Sequence, residues 1–454
     1  MLVFTTVRST GFGEGLYLTS SVANSHFGSS FKVGNFLNGH KPAIAIGAPY
    51  DDITGSVYVL PLDEVLENHE SKKGVFSALK SSKYSPNTTS NLQILEDEDD
   101  DGYHSKSTSL NFPIRFGYSK DSLNLAGAEF LVVSEPGTSQ LKLFYSGKLV
   151  AVISHNKATA GLGDSGIKEL GMVLKTIKPS SEGGYDNLFI GSSYSDNYLS
   201  RSQSGYGLLL SGEKLFHKIV ESQVLEMESN DDVIGLDAMD LQLASFEVPA
   251  SHKLVNAYEQ VGTSVETLGD LLFLGTGKVG EVLVFSKYTG SFITSIAAPN
   301  PDPKLESNNF VEELILINQK SRPRDSEDSD FYSASKKLKN WSLFGFHSIV
   351  SGTSSSKNWV LISAAYESTP LCSLCGAVYL YEFENLPTGH CQEHQQSKPK
   401  FNLVSKIIPT IASQSDTCNF GVQMTKTNTN SSQVLISGDG CLDGRGLIPQ
   451  VPIL

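Results

Sequence analysis

Two groups of side chains in this sequence are of types that hold metal ions. The first is the acidic run Glu96-Asp97-Glu98-Asp99-Asp100-Asp101-Gly102, where Asp97, Asp99 and Asp101 alternate ahead of a glycine. Calcium takes about six to eight oxygen ligands, and Asp-x-Asp-x-Asp-Gly is the first half of a loop that supplies them. The loop closes with a bidentate glutamate at the twelfth position, and here that position is Thr108. The run therefore reads as a solvated acidic loop, with Asp97, Asp99 and Asp101 only weak metal candidates. The second group is Cys372-x-x-Cys375 with His390, Cys391 and His394, whose donors would suit zinc. Cys372 and Cys375 fall in a loop before a strand, however, where disulfides or a free thiol account for them with less geometry. All five cysteines (Cys372, Cys375, Cys391, Cys418, Cys441) lie in the last quarter of the chain, and an odd number leaves at least one unpaired.

Nucleophilic and phosphate-binding chemistry has no motif. There is no Gly-x-Ser-x-Gly elbow and no Gly-x-x-x-x-Gly-Lys-Ser/Thr loop. The other histidines, among them His26, His155, His217 and His347, are scattered singly and read as surface or packing residues. The sequons at Asn87, Asn340 and Asn430 sit in polar surroundings that suit exposed loops, where glycans could be attached.

With a net charge of −14, the summed field repels phosphate backbones and anionic lipid, so nucleic acid is excluded as an expected partner. The apolar runs, such as Leu271–Leu274, are strand-sized and fall far short of the roughly 20 residues of a membrane-spanning helix. At 39% hydrophobic and 19% charged, the composition supports a sizeable core.

The elements that must position these residues come from a repeat. Phe27-Gly28 precedes Ala43-Ile44-Ala45-Ile46-Gly47-Ala48-Pro49, and then Gly55-Ser56-Val57-Tyr58-Val59. The order recurs at Phe116-Gly117, Leu170-Gly171, Val261-Gly262, Phe344-Gly345 and Phe420-Gly421, each followed by a branched or aromatic strand ending in small residues. Runs apolar on both faces suit sheets sandwiched between other sheets, and the small residues allow close approach of backbones. A single unit cannot bury both faces, so the pattern predicts an all-β repeat fold. Helical periodicity is confined to Asp63–His69 and Ile219–Glu228, and the polar segments 72–111, 299–339 and 389–400 read as long loops.

These repeats resemble the FG-GAP repeats of integrin α-chain propellers and of the C-terminal propeller of glycosylphosphatidylinositol-specific phospholipase D. The resemblance implies an all-β propeller spanning residues 1–454 as one domain, with seven blades expected in preference to six. It further implies the non-catalytic propeller portion of a phospholipase D-like protein, whose parent activity is hydrolysis of the inositol-phosphate linkage of lipid anchors. An integrin-like adhesion or ligand-binding propeller is the alternative, and a structural scaffold comes third. No cofactor is expected in this chain, and zinc only in an N-terminal catalytic domain beyond it. That domain, or a protein ligand on the loop faces, is the expected partner, and the secretory pathway or extracellular space the expected location. The start, Met1-Leu2-Val3-Phe4-Thr5-Thr6-Val7-Arg8, lacks the pattern of a signal peptide, which fits an export signal lying in that missing portion.

Many FG-GAP repeats bind calcium in the first turn of the blade. Here the corresponding positions are Asn35, Leu37, Gly39 and Ala43 in the first repeat, and Pro179, Ser181, Gly183 and Asn187 in the third, so no calcium is expected there. Gly13–Leu18 resembles a strand that ends a repeat, and it is expected to pair with the last blade and close the ring.

Overall fold

The computed structural model describes residues 2–9, 12–20, 26, 29–37, 42–51, 55–61, 82–83, 115–155, 169–179, 184–193, 205–225, 233–247, 261–276, 280–299, 343–352, 358–367, 375–384, 399–408, 420–426, 433–438 and 450–452. The chain divides into two compact units. The first comprises Met1–Gly161, Ile167–Ile190 and Leu210–Gln242, and the second comprises Leu162–Gly166, Gly191–Leu209 and Leu243–Leu454.

β1 (Leu2–Ser9) and β2 (Phe12–Ser20) form an antiparallel pair. A four-stranded sheet follows in chain order: β3 (Phe31–Gly34), β4 (Ala43–Ala48), β5 (Ser56–Pro61) and β6 (Ser82–Lys83). The second sheet is built on β7 (Lys120–Leu125), β8 (Ala128–Glu135), β9 (Gln140–Tyr145) and β10 (Lys148–Ser154). Next come β11 (Val173–Ile177), β12 (Asn187–Ser192), β13 (Tyr206–Leu210), helix α1 (Gly212–Leu225), β14 (Ile234–Asp237), the short helix α2 (Ala238–Leu241) and β15 (Gln242–Phe246). β14 leaves its sequence neighbours and pairs in parallel with β10, as a fifth strand of the second sheet, and β15 completes the order β11-β12-β13-β15.

Two more four-stranded sheets run in chain order. One holds β16 (Val261–Leu268), β17 (Leu271–Thr276), β18 (Glu281–Ser286) and β19 (Phe292–Ala297). The other holds β20 (Phe344–Gly352), β21 (Asn358–Ala364), β22 (Ala377–Glu384) and β23 (Lys400–Ile407). β24 (Phe420–Lys426), β25 (Gln433–Gly438) and β26 (Gln450–Pro452) make a three-stranded sheet.

The second strand of a sheet is mostly apolar because both of its faces are covered. Every residue of β17 and of β21 is buried, as expected for sheets stacked on sheets. Tight hairpins follow local chemistry: Ala126-Gly127 and Ser146-Gly147 carry φ of 52° and 85°, and of 48° and 81°, the paired positive values that match strand twist in a two-residue turn.

Successive sheets meet through the repeat itself. The glycine that opens a third strand bridges in parallel to the first strand of the next repeat, as Gly55 to Phe116, Gly205 to Val261 and Gly376 to Phe420. The aromatic of the Phe-Gly pair then lies in the core between its own sheet and the preceding one. Phe116 packs with Ala43, Val57, Leu131 and Phe144, and Phe344 with Phe273, Val282, Val360 and Ile362.

Some expectations are corrected. Helix α1 starts at Gly212, seven residues earlier than the periodicity suggested, because Ser211 Oγ accepts from Lys214 N at 3.1 Å and Asn187 Oδ1 accepts from Gly212 N at 3.1 Å. Gly13–Leu18 lies in β2 and pairs with β1, Val7 opposite Gly15 and Phe4 opposite Leu18, while the sheet of β24, β25 and β26 has no such strand among the described residues. A hairpin joined by residues 10–11 closes a far shorter loop than pairing across the whole chain. Segment 72–111 contributes β6, and Lys400 opens β23, so neither region is wholly loop. Asp63–His69 lies outside the described residues.

Candidate functional site: a lysine-centred joint and its carboxylate seam

In the first unit the stacking joint carries an unusual charge. Gly47, at the end of β4, meets the Phe-Gly turn of the next repeat so closely that an added Cβ would stand 2.2 Å from Gly117 O and 2.4 Å from Lys120 Nζ. Ser30 Oγ donates to Gly117 O at 3.0 Å. Lys120, the first residue of β7, donates through Nζ to Ser30 O at 3.0 Å, to Gly117 O at 3.4 Å and to Ser30 Oγ. Only 6% of the residue is exposed, and burial pushes its ammonium down to about 7. A lysine so perturbed can serve as a nucleophile or base elsewhere. Here three backbone and hydroxyl acceptors occupy Nζ, so its role is to fasten one sheet to the next.

Beside it runs a seam of carboxylates. Asp121 binds Lys32 of β3, accepts from Ser122 N at 2.8 Å, and accepts from Thr176 N of β11 at 2.6 Å, so one buried carboxylate ties three strands of three repeats. Glu129 Oε2 accepts from Asn35 N at 2.9 Å, and Asp186 Oδ2 from Asn124 N at 2.9 Å. Burial raises the Asp186 carboxyl above its ordinary range, the Asn124 amide and Lys178 pull it down, and Asp121 and Glu129 push it up. These contacts staple backbone amides of turns and strand ends, and among the described residues no group of three or more His, Cys, Asp or Glu is arranged to hold a metal.

At or just beyond the end of several second strands, an acid meets the third strand. Tyr58 donates to Asp51 at 2.6 Å. Tyr379 donates to Glu367 at 2.6 Å, and Lys406 pairs with the same carboxylate. Glu135 and Lys142 form a buried pair at 2.5 Å, with Thr138 Oγ1 donating to Glu135 at 2.6 Å. Burial and the facing carboxylate raise the Tyr379 phenol, and Tyr381 is pushed up to about 12.

The sequence candidates are placed as follows. Asp97, Asp99 and Asp101, the sequons at Asn87, Asn340 and Asn430, and Cys372, His390, Cys391 and His394 lie outside the described residues. Cys375 is buried and disulfide-bonded, so its sulfur is no free zinc ligand. Of the calcium-turn positions, Asn35 gives its amide to Glu129, Leu37 packs on the apolar core, Ala43 is buried in it, and Asn187 is engaged at the start of α1. His26 packs against Tyr50 with ring centroids 4.7 Å apart, and His217 lies edge-on to Phe216 at 6.1 Å, both packing roles.

Lys120 escaped the sequence reading, although a signal exists. Three residues beyond the glycine of the Phe-Gly pair, other repeats carry Leu174, Val265, Ser348 and Met424, and a lysine in that register stands out.

No family model matches this chain, and no curated protein does. Among solved structures, it is similar to a Bacteroides uniformis protein described as a 6-phosphogluconolactonase, with 10% identity and a TM-score of 0.39 over 100% of this chain and 96% of that one. It is similar also to the β-propeller domain of Myceliophteria thermophila Cps50 (Swd1), at 10% identity and TM-score 0.36 over 90% and 82% of the two chains. The computationally designed Ika8 protein matches at 9% identity and TM-score 0.33, over 90% and 80%. Likenesses this distant identify no shared function.

Proposed function

We propose that this chain is a β-propeller of FG-GAP-like blades, seven in preference to six, that acts by binding a partner. In this reading it is the non-catalytic propeller portion of a glycosylphosphatidylinositol-specific phospholipase D-like protein, and its partner is the catalytic domain. The observation that carries the proposal is the recurring joint, in which the Phe-Gly glycine of one repeat abuts the Gly-Ala-Pro position of the one before. Gly117 O against Gly47, and Gly345 O against Gly275, are instances. A joint that repeats with one geometry adds sheets by a fixed step, and radial closure leaves no open face at either end. The disulfide at Cys375 supports a secretory or extracellular location.

Hydrolysis of a phosphodiester needs a positioned nucleophile and stabilisation of developing negative charge. The described carboxylates and lysines of the joint are instead engaged with backbone and with one another. In this reading catalysis, and the zinc that the resemblance assigns to it, belongs to the other domain.

The test uses the purified 454-residue chain and a catalytic domain from a glycosylphosphatidylinositol-specific phospholipase D. The chain alone, with zinc and calcium supplied, is expected to leave a lipid-anchored reporter on its membrane, and the immobilised chain is expected to retain the catalytic domain. Release by the chain alone overturns the non-catalytic reading, and failure to retain the domain overturns the partner.

A further inference from the structure

The second sheet carries an addition that the repeat does not require. β14 lies along β10 in parallel through only four residue pairs, from Ala151 opposite Ile234 to Ser154 opposite Asp237. It is lightly packed: Val233 is exposed, and among the described residues nothing stands within 4 Å of where a Cβ on Gly235 would be. Short, poorly covered edge strands open at low free energy.

The next residue on β10's side is His155. It is 9% exposed, and both of its ring nitrogens are buried without a hydrogen-bond partner among the described residues. Buried polar groups normally find a partner, and each that does not carries a penalty that grows on charging. The charged group acting on the ring is the Asp237 carboxylate from β14, which also caps α2 by accepting from Met239 N at 2.9 Å. From β9 the residue opposite Ser154 is the neutral Gln140, Glu135 is held by Lys142, and Asp240 of α2 is exposed.

We propose that His155 makes the attachment of β14 to β10 a pH-gated clasp, closed while the imidazole is neutral and released when it takes a proton. Burial pushes the ring below its ordinary 6.5, and Asp237 only partly offsets that. The closed state thus binds the proton less readily than the open one. The clasp is fully held above about pH 6.5 and weakens as pH falls below it. Release leaves the β10 edge unpaired and frees β14 from the second sheet, while α1 keeps its packing against β7.

Hydrogen exchange on the full chain at pH 7.5 and 5.5, corrected for intrinsic rates, tests this. Amides of residues 233–237 are expected to lose protection several-fold at pH 5.5, while those of β8 and β9 keep theirs. His155→Phe is expected to abolish the difference. Asp237→Asn, which retains a capping oxygen but removes the charge, is expected to enlarge it. A pH-independent β14 in the wild-type chain, or an unchanged pH response in His155→Phe, overturns the proposal. Should that variant fail to fold, an NMR titration of His155 in the wild-type chain decides: a midpoint at or above 6.5 overturns the clasp, and one below supports it.

Discussion

The joint between β4 and the Phe116-Gly117 turn, in the first unit, and the joint between β17 and the Phe344-Gly345 turn, in the second, use the same parts to different electrostatic ends. Each has a glycine with no room for a Cβ, Gly47 and Gly275, set against the carbonyl of the following repeat's glycine. Each has a serine donating to that carbonyl, Ser30 at 3.0 Å and Ser264 at 3.1 Å. They part at the residue three beyond the Phe-Gly glycine. In the first it is Lys120, reaching back to Ser30, and in the second it is Ser348, buried with no hydrogen-bond partner for its hydroxyl among the described residues. The backbone contact is thus the invariant of the joint, and the side chain beside it tunes how the joint responds to its surroundings.

Charge at the first joint gives the largest effect separating the two. Burial lowers Lys120 to about 7, whereas an unfolded lysine titrates at 10.5. Between those values the unfolded chain holds more protons, so stability rises with pH, by up to about 1.4 kcal/mol per pH unit from this one group. Urea unfolding of Lys120→Met at pH 7.5 and 9.5 is expected to lack that slope relative to wild type. An identical slope in both proteins would show that the joint tolerates a charged lysine as well as a neutral one. The smaller effect lies at the second joint. Ser348→Ala removes a buried hydroxyl that has no hydrogen-bond partner among the described residues, and is expected to leave stability unchanged or raise it by up to about 1 kcal/mol. A clear loss would show that Ser348 does for its joint what Lys120 does for the first.

Much of the fold was legible from periodicity and punctuation. The strand at Ala43–Ala48, the one at Leu271–Thr276 and the one at Asn358–Ala364 all lie where branched residues and terminal small residues placed them. The glycines that end the second strands were legible as close approaches, whereas those of the Phe-Gly pairs recur because φ near +90° at Gly117, Gly171, Gly262, Gly345 and Gly421 favours glycine. β14 was not legible, since four residues with one exposed glycine carry neither alternation nor a turn signal, and their partner strand is set by tertiary contact. Nor was the pairing of Gly13–Leu18, where local hairpin closure prevailed over a distant partner. At the site, the residues most conspicuous in the sequence, Asp97, Asp99 and Asp101, lie outside the described residues. The most perturbed lysine, by contrast, sits in a stretch of ordinary composition. Its environment is made by Ser30, some 90 residues away, a neighbour that no local pattern reveals.

The most direct test of the repeated joint is denaturant unfolding of Gly275→Ala measured beside Gly127→Ala. A Cβ at Gly275 would stand 1.9 Å from Gly345 O and 2.3 Å from Ser264 Oγ, so the neighbouring repeat must shift to admit it. Gly127 also disfavours a side chain, having φ of +85°, but among the described residues nothing lies within 4 Å of an added Cβ there. Backbone strain alone is expected to lower the stability of Gly127→Ala by about 1 to 2 kcal/mol, and the collision at the joint to lower that of Gly275→Ala by about 3 to 5 kcal/mol. Equal losses in the two variants would contradict the account, because the sheets would then not depend on glycine contact to stack.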